Sequence, residues 1–224
     1  MSQPSNQKEQ HVRPGYVLRY AFHERLWHWV AGFSYIYLLL TGLAFWSPWL
    51  FWLAILLGGA PVSRMLHPWF GLGFAIAVVQ MYRMWASQMH ITQVDKDWFN
   101  SVGHYIRNED DKMPPAGRYN GGQKSLFWGF FVCMILLLLS GIVMWFPEYI
   151  PWSLRYLRYI AVLTHASAAL LTIGLFMIHV YMGVFAERGA FGSVIRGEVT
   201  LAFAKRFHPR WYEEITGQPA TPRK

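Results

Sequence analysis

Two histidines inside one long apolar run are the residues of this 224-residue chain best placed to do chemistry. His165 and His179 lie between Tyr159 and Phe185, in a run long enough to cross a bilayer as a helix. Their spacing corresponds to a rise of about 21 Å and about 3.9 helical turns, so both imidazoles lie on nearly the same face. Ionisable groups at that depth are costly and mark function. Two imidazoles stacked through a membrane indicate two metal centres, with haem iron as the candidate.

Four apolar runs provide the helices that must position these side chains. They cover about residues 25–45, 67–86, 125–146 and 159–185. A soluble protein would leave these runs unexplained, and tryptophans cluster near their ends, as they do at membrane interfaces. We therefore predict an all-α integral membrane protein, a four-transmembrane-helix bundle. Its domains are a polar tail (1–20), the helix bundle (21–186) and a basic tail (187–224).

The basic residues predict the orientation of the bundle. Four spans place both termini on one side of the membrane, together with the hydrophilic connector of about residues 87–123. These segments and their flanks hold most of the 20 lysines and arginines, whereas Arg64, Arg155 and Arg158 fall on the other side. The positive-inside rule then makes both termini and the connector cytoplasmic. The net charge of +8 is explained by this orientation and requires no nucleic acid partner.

The predicted topology sorts the membrane histidines into two pairs. Antiparallel helices bring His28 to the depth of His179 on the inner side, and His67 to the depth of His165 on the outer side. Each pair can hold one iron through two imidazole nitrogens, which predicts two b-type haems in the bundle. Cys133 is the single cysteine, so a C-x-x-C-H attachment is excluded and the haems are non-covalent.

The other histidines, three methionines and three arginines at span ends are not needed as haem ligands. The remaining five histidines lie outside the predicted membrane core and are expected to be solvated: His11, His23, His90, His104 and His208. Three methionines are expected to pack rather than to bind iron, because the histidines suffice: Met144, Met177 and Met182. Three arginines at span ends either pair with haem propionates or extend to the interface: Arg25, Arg64 and Arg83.

Six short segments carry a family resemblance. They are Arg25-Leu-Trp-His-Trp, Leu66-His-Pro-Trp-Phe-Gly, Tyr119-Asn-Gly-Gly-Gln-Lys, His165-Ala, His179-Val-Tyr-Met and His208-Pro-Arg-Trp-Tyr. Together they resemble the cytochrome b (gamma) subunit of respiratory membrane-bound formate dehydrogenase over about residues 19–214. The di-haem anchors of nickel–iron hydrogenases and of thiosulfate or polysulfide reductases are related to it.

The resemblance implies a place in a respiratory complex of the bacterial inner membrane. A periplasmic molybdenum or tungsten alpha subunit would oxidise formate, and an iron–sulfur beta subunit would pass electrons to the outer haem. The resemblance assigns that haem to His67 and His165, and the inner haem to His28 and His179. Electrons would then reduce menaquinone or ubiquinone near the cytoplasmic face. Family members also suggest a trimer of the three-subunit unit.

The quinone site implied by the resemblance includes Asn120, near the inner haem ligand His179, with Gly122 and Gln123 as neighbours. An asparagine amide can donate to a quinone carbonyl, although an Asn-Gly pair is also a common turn signal.

Other functions remain open at this stage. One is a cytochrome b subunit of a hydrogenase or of a thiosulfate or polysulfide reductase. Another is a histidine-based transporter of metal or protons, which the absence of Asp and Glu from the predicted span cores disfavours. A haem-free anchor would leave the depth-matched histidines unexplained. The chain contains no molybdenum-, flavin- or iron–sulfur-binding motif, so it is not expected to be catalytic alone.

Overall fold

Long apolar helices dominate the computed structural model, which describes residues 11–107 and 109–220. In chain order, its α-helices are α1 (Phe22–Trp46), α2 (Trp52–Leu56), α3 (Ala60–Trp85), α4 (Gln93–Asn100), α5 (Val102–Ile106), α6 (Gly121–Trp145), α7 (Tyr156–Val180), α8 (Ala190–Ile195), α9 (Leu201–Phe207) and α10 (Pro209–Thr216). Helices α1, α3, α6 and α7 are long and apolar enough to cross a membrane, which confirms the helical membrane fold. Residues 1–10 of the predicted N-terminal tail, with Lys8, and residues 221–224 of the predicted C-terminal tail, with Arg223 and Lys224, lie outside the described residues.

All four long helices begin earlier than the sequence predicted, and α3 and α6 do so by the largest margins. Gly58 and Gly59 have φ angles of 94° and 90°, so the chain turns there after α2. Pro61 then fits the first turn of α3, where no backbone N–H is needed, and the helix begins at Ala60 instead of near residue 67. Helix α6 likewise begins at Gly121 instead of near residue 125.

Helix α7 ends in an unusual way. Its α-helical geometry stops at Val180, and residues Tyr181–Ala186 continue as a π-helical turn. The backbone N–H of Glu187 donates to the carbonyl of Met182, five residues earlier, at 3.0 Å. Such π-helical turns are rare in proteins, and those that occur often lie at functional sites.

The helix bundle packs around aromatic side chains. Residues 26–84 and 128–178 form one compact unit, called here the membrane bundle. The ring of Tyr35 on α1 lies 5.9 Å from that of Phe74 on α3 and 4.9 Å from that of Phe176 on α7, measured between centroids. Met134 on α6 is buried in the same core. All four long helices therefore contribute to one interior, while large apolar side chains such as Leu163 remain exposed, as a lipid-facing surface requires.

A second compact unit, called here the sheet unit, comprises the described parts of residues 1–25, 85–127 and 179–224. It contains a three-stranded antiparallel sheet of β1 (His11–Arg13), β2 (Tyr16–Leu18) and β3 (Glu198–Thr200), in that order. Its apolar core includes residues from β2, β3, α9 and α10: Val17, Val199, Phe203, Trp211 and Ile215. The sequence did not predict this sheet, because strands of three residues carry too little alternation to recognise.

One histidine expectation is wrong. His208 was expected to be solvated, but it is 0% exposed and packs in the sheet unit, with its Nδ1 2.8 Å from the carbonyl oxygen of Gly117. Burial, followed by the neighbouring Arg19 charge, holds the pKa of His208 well below its usual value. The prediction failed because the sheet unit has an apolar core of its own outside the membrane.

Candidate functional site

His67 and His165 face each other inside the membrane bundle. His67 is carried by α3 and His165 by α7, and their ring centroids lie 6.4 Å apart with an angle of 53° between the planes. The structure therefore brings together the two residues that the sequence assigned to one iron.

A hydroxyl group holds the outer nitrogen of each ring. The Nδ1 atom of His67 lies 2.7 Å from Thr41 Oγ1, and Nδ1 of His165 lies 3.0 Å from Ser140 Oγ. Each hydroxyl also donates to a backbone carbonyl of its own helix: that of Tyr37 at 2.8 Å for Thr41, and that of Leu136 at 2.5 Å for Ser140.

These contacts select one tautomer of each histidine. A hydroxyl has a single hydrogen, and a helix carbonyl accepts it here, so the hydroxyl oxygen is left to accept from the ring. The Nδ1 atoms of His67 and His165 therefore carry the hydrogens, and their Nε2 atoms present free lone pairs. Histidines that bind metals almost always have the other ring nitrogen tied in this way.

The distance between the rings fits one metal ion bound by both. Two metal–nitrogen bonds of about 2 Å, with about 1.2 Å from each nitrogen to its ring centroid, place the centroids about 6 Å apart. The observed 6.4 Å agrees. A b-type haem would be held by two such imidazole nitrogens, so His67 and His165 fit that group.

A glycine follows each of the two hydroxyl residues and leaves room for the ring. A Cβ atom added to Gly42 would lie 3.9 Å from Cε1 of His67, and one added to Gly141 would lie 3.3 Å from Cε1 of His165. The Thr41-Gly42 pair on α1 and the Ser140-Gly141 pair on α6 thus have the same arrangement, a hydroxyl residue in contact with a histidine ring followed by a glycine beside that ring. The sequence analysis missed both hydroxyls, although a hydroxyl-glycine pair in each of two apolar spans was the available signal.

The second predicted histidine pair is divided between the compact units. His28 lies on α1 in the membrane bundle, with its ring edge-on to Trp29 at 5.8 Å between centroids. His179 is the penultimate residue of α7, belongs to the sheet unit, and lies two residues before the π-helical turn. Their joint role as ligands of one haem stays a prediction.

Two of the predicted quinone residues, Asn120 and Gln123, contact a buried carboxylate that the sequence did not indicate. Oε1 of Glu187 accepts from the hydroxyl of Tyr105 at 2.5 Å and from Nδ2 of Asn120 at 3.2 Å. Its Oε2 accepts from Nε2 of Gln123 at 3.4 Å. We call Tyr105, Asn120, Gln123 and Glu187 the Glu187 cluster. Glu187 lies beyond the last predicted apolar span, and no pattern in the sequence connects it with Asn120.

Asn120 and Gln123 also start a helix. The Asn120 side chain accepts from the backbone N–H of Gln123 at 2.9 Å, and the Gln123 side chain accepts from the backbone N–H of Asn120 at 3.2 Å. This is the reciprocal arrangement of a capping box, and it explains why α6 begins at Gly121. Gly122 is required by packing, since a Cβ there would lie 2.9 Å from Cη2 of Trp98.

Of the three span-end arginines, two have partners among their own neighbours. Arg25 donates to the backbone carbonyl of Ile195 at 2.5 Å, and Arg83 donates to the side chain of Gln80 at 3.4 Å. Met144 and Met177 are exposed on the bundle.

Known proteins resemble this chain over most of its length. The family described as prokaryotic cytochrome b561 matches residues 19–197. The chain is 34% identical over 201 residues to the formate dehydrogenase cytochrome b556(fdo) subunit of Escherichia coli strain K12, covering 89% of this chain and 93% of that protein. It is 32% identical over 202 residues to the nitrate-inducible cytochrome b556(Fdn) subunit of the same strain, covering 89% and 91%. It is 31% identical over 201 residues to the formate dehydrogenase cytochrome b556 subunit of Haemophilus influenzae, covering 88% and 83%. These similarities confirm the resemblance found in the sequence.

Proposed function

This chain belongs to the prokaryotic cytochrome b561 family, and from that premise we propose that it is a di-haem cytochrome b that delivers electrons to quinone. With four apolar helices and bacterial relatives, it is a multi-pass protein of the bacterial inner membrane. The proposal extends this membership to the number of haems, the partners and the direction of electron flow.

The observation that carries the proposal is the His67–His165 pair. The ring centroids of the two imidazoles lie 6.4 Å apart, and hydroxyls of Thr41 and Ser140 hold their Nδ1 atoms, which leaves both Nε2 lone pairs for a metal. When bound, a haem supplies an iron atom that takes up and gives back one electron at a time. Thr41 and Ser140 hold the two rings in place during that change, so little rearrangement accompanies each transfer.

A second haem is proposed at His28 and His179. The support is the depth of the two residues in the predicted topology, together with the position of His179 beside a π-helical turn. Electrons would pass from the His67–His165 site on the periplasmic side to the His28–His179 site on the cytoplasmic side.

The partner is proposed to be a formate dehydrogenase. All three relatives named above are cytochrome b556 subunits of formate dehydrogenase. We infer an iron–sulfur beta subunit as the electron donor and a molybdenum or tungsten alpha subunit as the site of formate oxidation. The distribution of basic residues supports a periplasmic position for both and cytoplasmic termini for this chain.

Quinone is proposed to bind at Asn120, with Gly122, Gln123 and His179 as neighbours. The amide nitrogen of Asn120 has two hydrogens, and Glu187 accepts one of them. The second hydrogen can be donated to a quinone carbonyl. Menaquinone or ubiquinone would serve equally, since both present such a carbonyl.

Haem content tests the haem part of the proposal. The chain purified in detergent should hold about two b-type haems per polypeptide. His165→Ala and His67→Ala should each remove the same single haem, and His28→Ala should remove the other. Zero haem in a folded preparation supplied with haem would overturn the proposal.

The quinone part has a separate test. Asn120→Ala should keep both haem spectra and slow the reoxidation of reduced haem by a short-chain quinone. Loss of both haems in this variant would count against a quinone site at Asn120.

A further inference from the structure

Glu187 is a carboxylic acid residue that haem binding does not require. It is 3% exposed and lies immediately after the π-helical turn that follows His179. Burying a carboxylate is costly unless strong interactions offset the loss of water. Three neutral side chains, those of Tyr105, Asn120 and Gln123, donate to this one.

Two of those three donors are proposed quinone residues. Asn120 has one amide hydrogen on Glu187 and another free for a quinone carbonyl, so a single side chain joins the carboxylate to the substrate position. We propose that Glu187 is the catalytic acid that delivers protons to the quinone. This inference rests on the proposed function, because it needs a quinone at Asn120.

The cluster has a route for renewing its proton. A cavity of about 20 Å³ is lined by residues that include Tyr105, Asn120, Arg206 and Pro209. That volume is enough for one water molecule, and the lining offers polar partners to hold it. A water there is adjacent to Tyr105, whose hydroxyl already contacts Glu187. Protons would thus enter from the connector, on the proposed cytoplasmic side.

The reaction balances with the groups named. Reduction of one quinone takes two electrons and two protons, and the electrons come one at a time from ferrous haem. For each proton, the O–H bond of the Glu187 acid breaks and an O–H bond forms on a quinone oxygen. The Glu187 carboxylate then takes a proton from the water in the cavity, which is itself reprotonated from the solvent, and after two such deliveries the quinol leaves.

The decisive variant is Glu187→Gln, which keeps the shape and the acceptor oxygen but cannot release a proton to the quinone. The complete complex is prepared in its native membranes, the haem is reduced with stoichiometric dithionite, and a short-chain quinone is added. Haem reoxidation should slow at least tenfold at saturating quinone, with KM changed less than threefold. Glu187→Asp should recover part of the rate. Glu214→Gln, on an exposed carboxylate of α10, serves as the matched control and should be unchanged.

A second readout does not depend on turnover. The redox-difference infrared spectrum of the wild type should contain the carbonyl band of a protonated carboxylic acid that is missing in Glu187→Gln and retained in Glu214→Gln. Normal reoxidation in Glu187→Gln, or a carbonyl band that persists in it, would overturn the role of Glu187. Failure of the wild-type haem to be reoxidised by quinone would instead overturn the proposed function.

Discussion

At the scale of single residues, two hydroxyl groups determine which ring nitrogen of His67 and of His165 carries the hydrogen. Thr41 and Ser140 each use their hydrogen on their own helix and keep an oxygen lone pair for a histidine. A ring that donates from Nδ1 is more basic at Nε2, so these hydroxyls would influence both the affinity and the redox potential of the haem iron proposed at this site.

Thr41→Val should weaken haem binding at this site by about 10–100-fold, because it removes the acceptor for Nδ1–H of His67 and preserves the side-chain shape. The midpoint potential of the same haem should become more positive, since a less basic ligand stabilises ferric iron less. Haem titration and redox potentiometry measure the two effects. Thr41→Ser keeps the hydroxyl and should resemble the wild type. Equal affinity and potential in Thr41→Val would show that the hydroxyl does not tune the site.

The two glycines offer a graded test of ring clearance. An added methyl group in Gly141→Ala would lie 3.3 Å from the His165 ring, whereas in Gly42→Ala it would lie 3.9 Å from the His67 ring. Gly141→Ala should therefore lower the haem content and alter the low-spin electron paramagnetic resonance signal, and Gly42→Ala should do so much less. The reverse order of severity would contradict the ring positions described.

The sequence predicted the pairing of His67 with His165 but not the hydroxyl groups that hold the two rings. His67 and His165 could be paired because depth along a helix follows directly from residue number. Thr41, Ser140 and Glu187 could not be assigned, because which side chain reaches which ring or amide depends on how helices pack, and single polar residues in apolar runs have many other uses. The prediction that His208 is solvated was wrong for the same reason. Its burial depends on the small core of the sheet unit, which no periodic pattern in the sequence indicates.

At the scale of elements, a buried ion pair fastens the connector to the start of α6. Nζ of Lys124 lies 2.7 Å from Oδ2 of Asp95 on α4 and also donates to the carbonyl of His90 at 3.0 Å. Thr92 adds donors from its backbone and hydroxyl to the same carboxylate. Burial raises the pKa of Asp95, but the hydrogen bonds from Lys124 and Thr92 outweigh it, and the net pKa lies below the usual value.

Lys124→Met should cost about 3–5 kcal/mol in the free energy of unfolding, because it leaves a buried carboxylate without its cation. The exposed pair of Lys112 and Glu109, at 3.1 Å, provides the matched control, and Lys112→Met should change stability little. Thermal unfolding in detergent measures both. A small effect of Lys124→Met would mean that water reaches Asp95.

The same pair predicts a pH dependence. A carboxyl group with a lowered pKa in the folded state stabilises the fold above its unfolded pKa of about 4, and loses that contribution as the pH falls through its folded pKa. The Asp95→Asn variant should therefore lose less stability than the wild type between pH 5 and pH 3, a window set by the unfolded value of about 4. Parallel stability curves for the two proteins would contradict the lowered pKa of Asp95.

The apolar pattern of the sequence identifies the long helices but not the residues at which they begin. The apolar runs identified all four long helices, but α3 and α6 extend beyond them into residues that cap or turn the chain. Pro61 occupies the first turn of α3, and Asn120, which belongs to an Asn-Gly turn signal, caps α6. Both residue types are common just outside and just inside a helix start, so the sequence alone leaves the boundary uncertain by a turn or more.

At the scale of the whole molecule, the orientation in the membrane can be measured with cysteines. The native Cys133 is 1% exposed and should not react. Ile106 in the connector is 75% exposed and Trp152 in the loop before α7 is 76% exposed. A membrane-impermeant maleimide should label Trp152→Cys from the periplasm, and Ile106→Cys from the cytoplasmic side in inverted vesicles. The opposite pattern would invert the proposed direction of electron flow.

The π-helical turn at Tyr181–Ala186 has a consequence for how this chain tolerates change in length. A π turn corresponds to an α-helix with one additional residue, so deleting a single residue such as Gly183 would restore α-helical geometry instead of shortening a loop. Residues after the deletion would keep their direction relative to His179, because the residue removed is the one that the π turn accommodates. The backbone N–H of position 187 would still reach the carbonyl of Met182, then four residues earlier, and its carboxylate would still face Asn120. The segment between His179 and the acid can therefore lose one residue without changing the direction of either side chain.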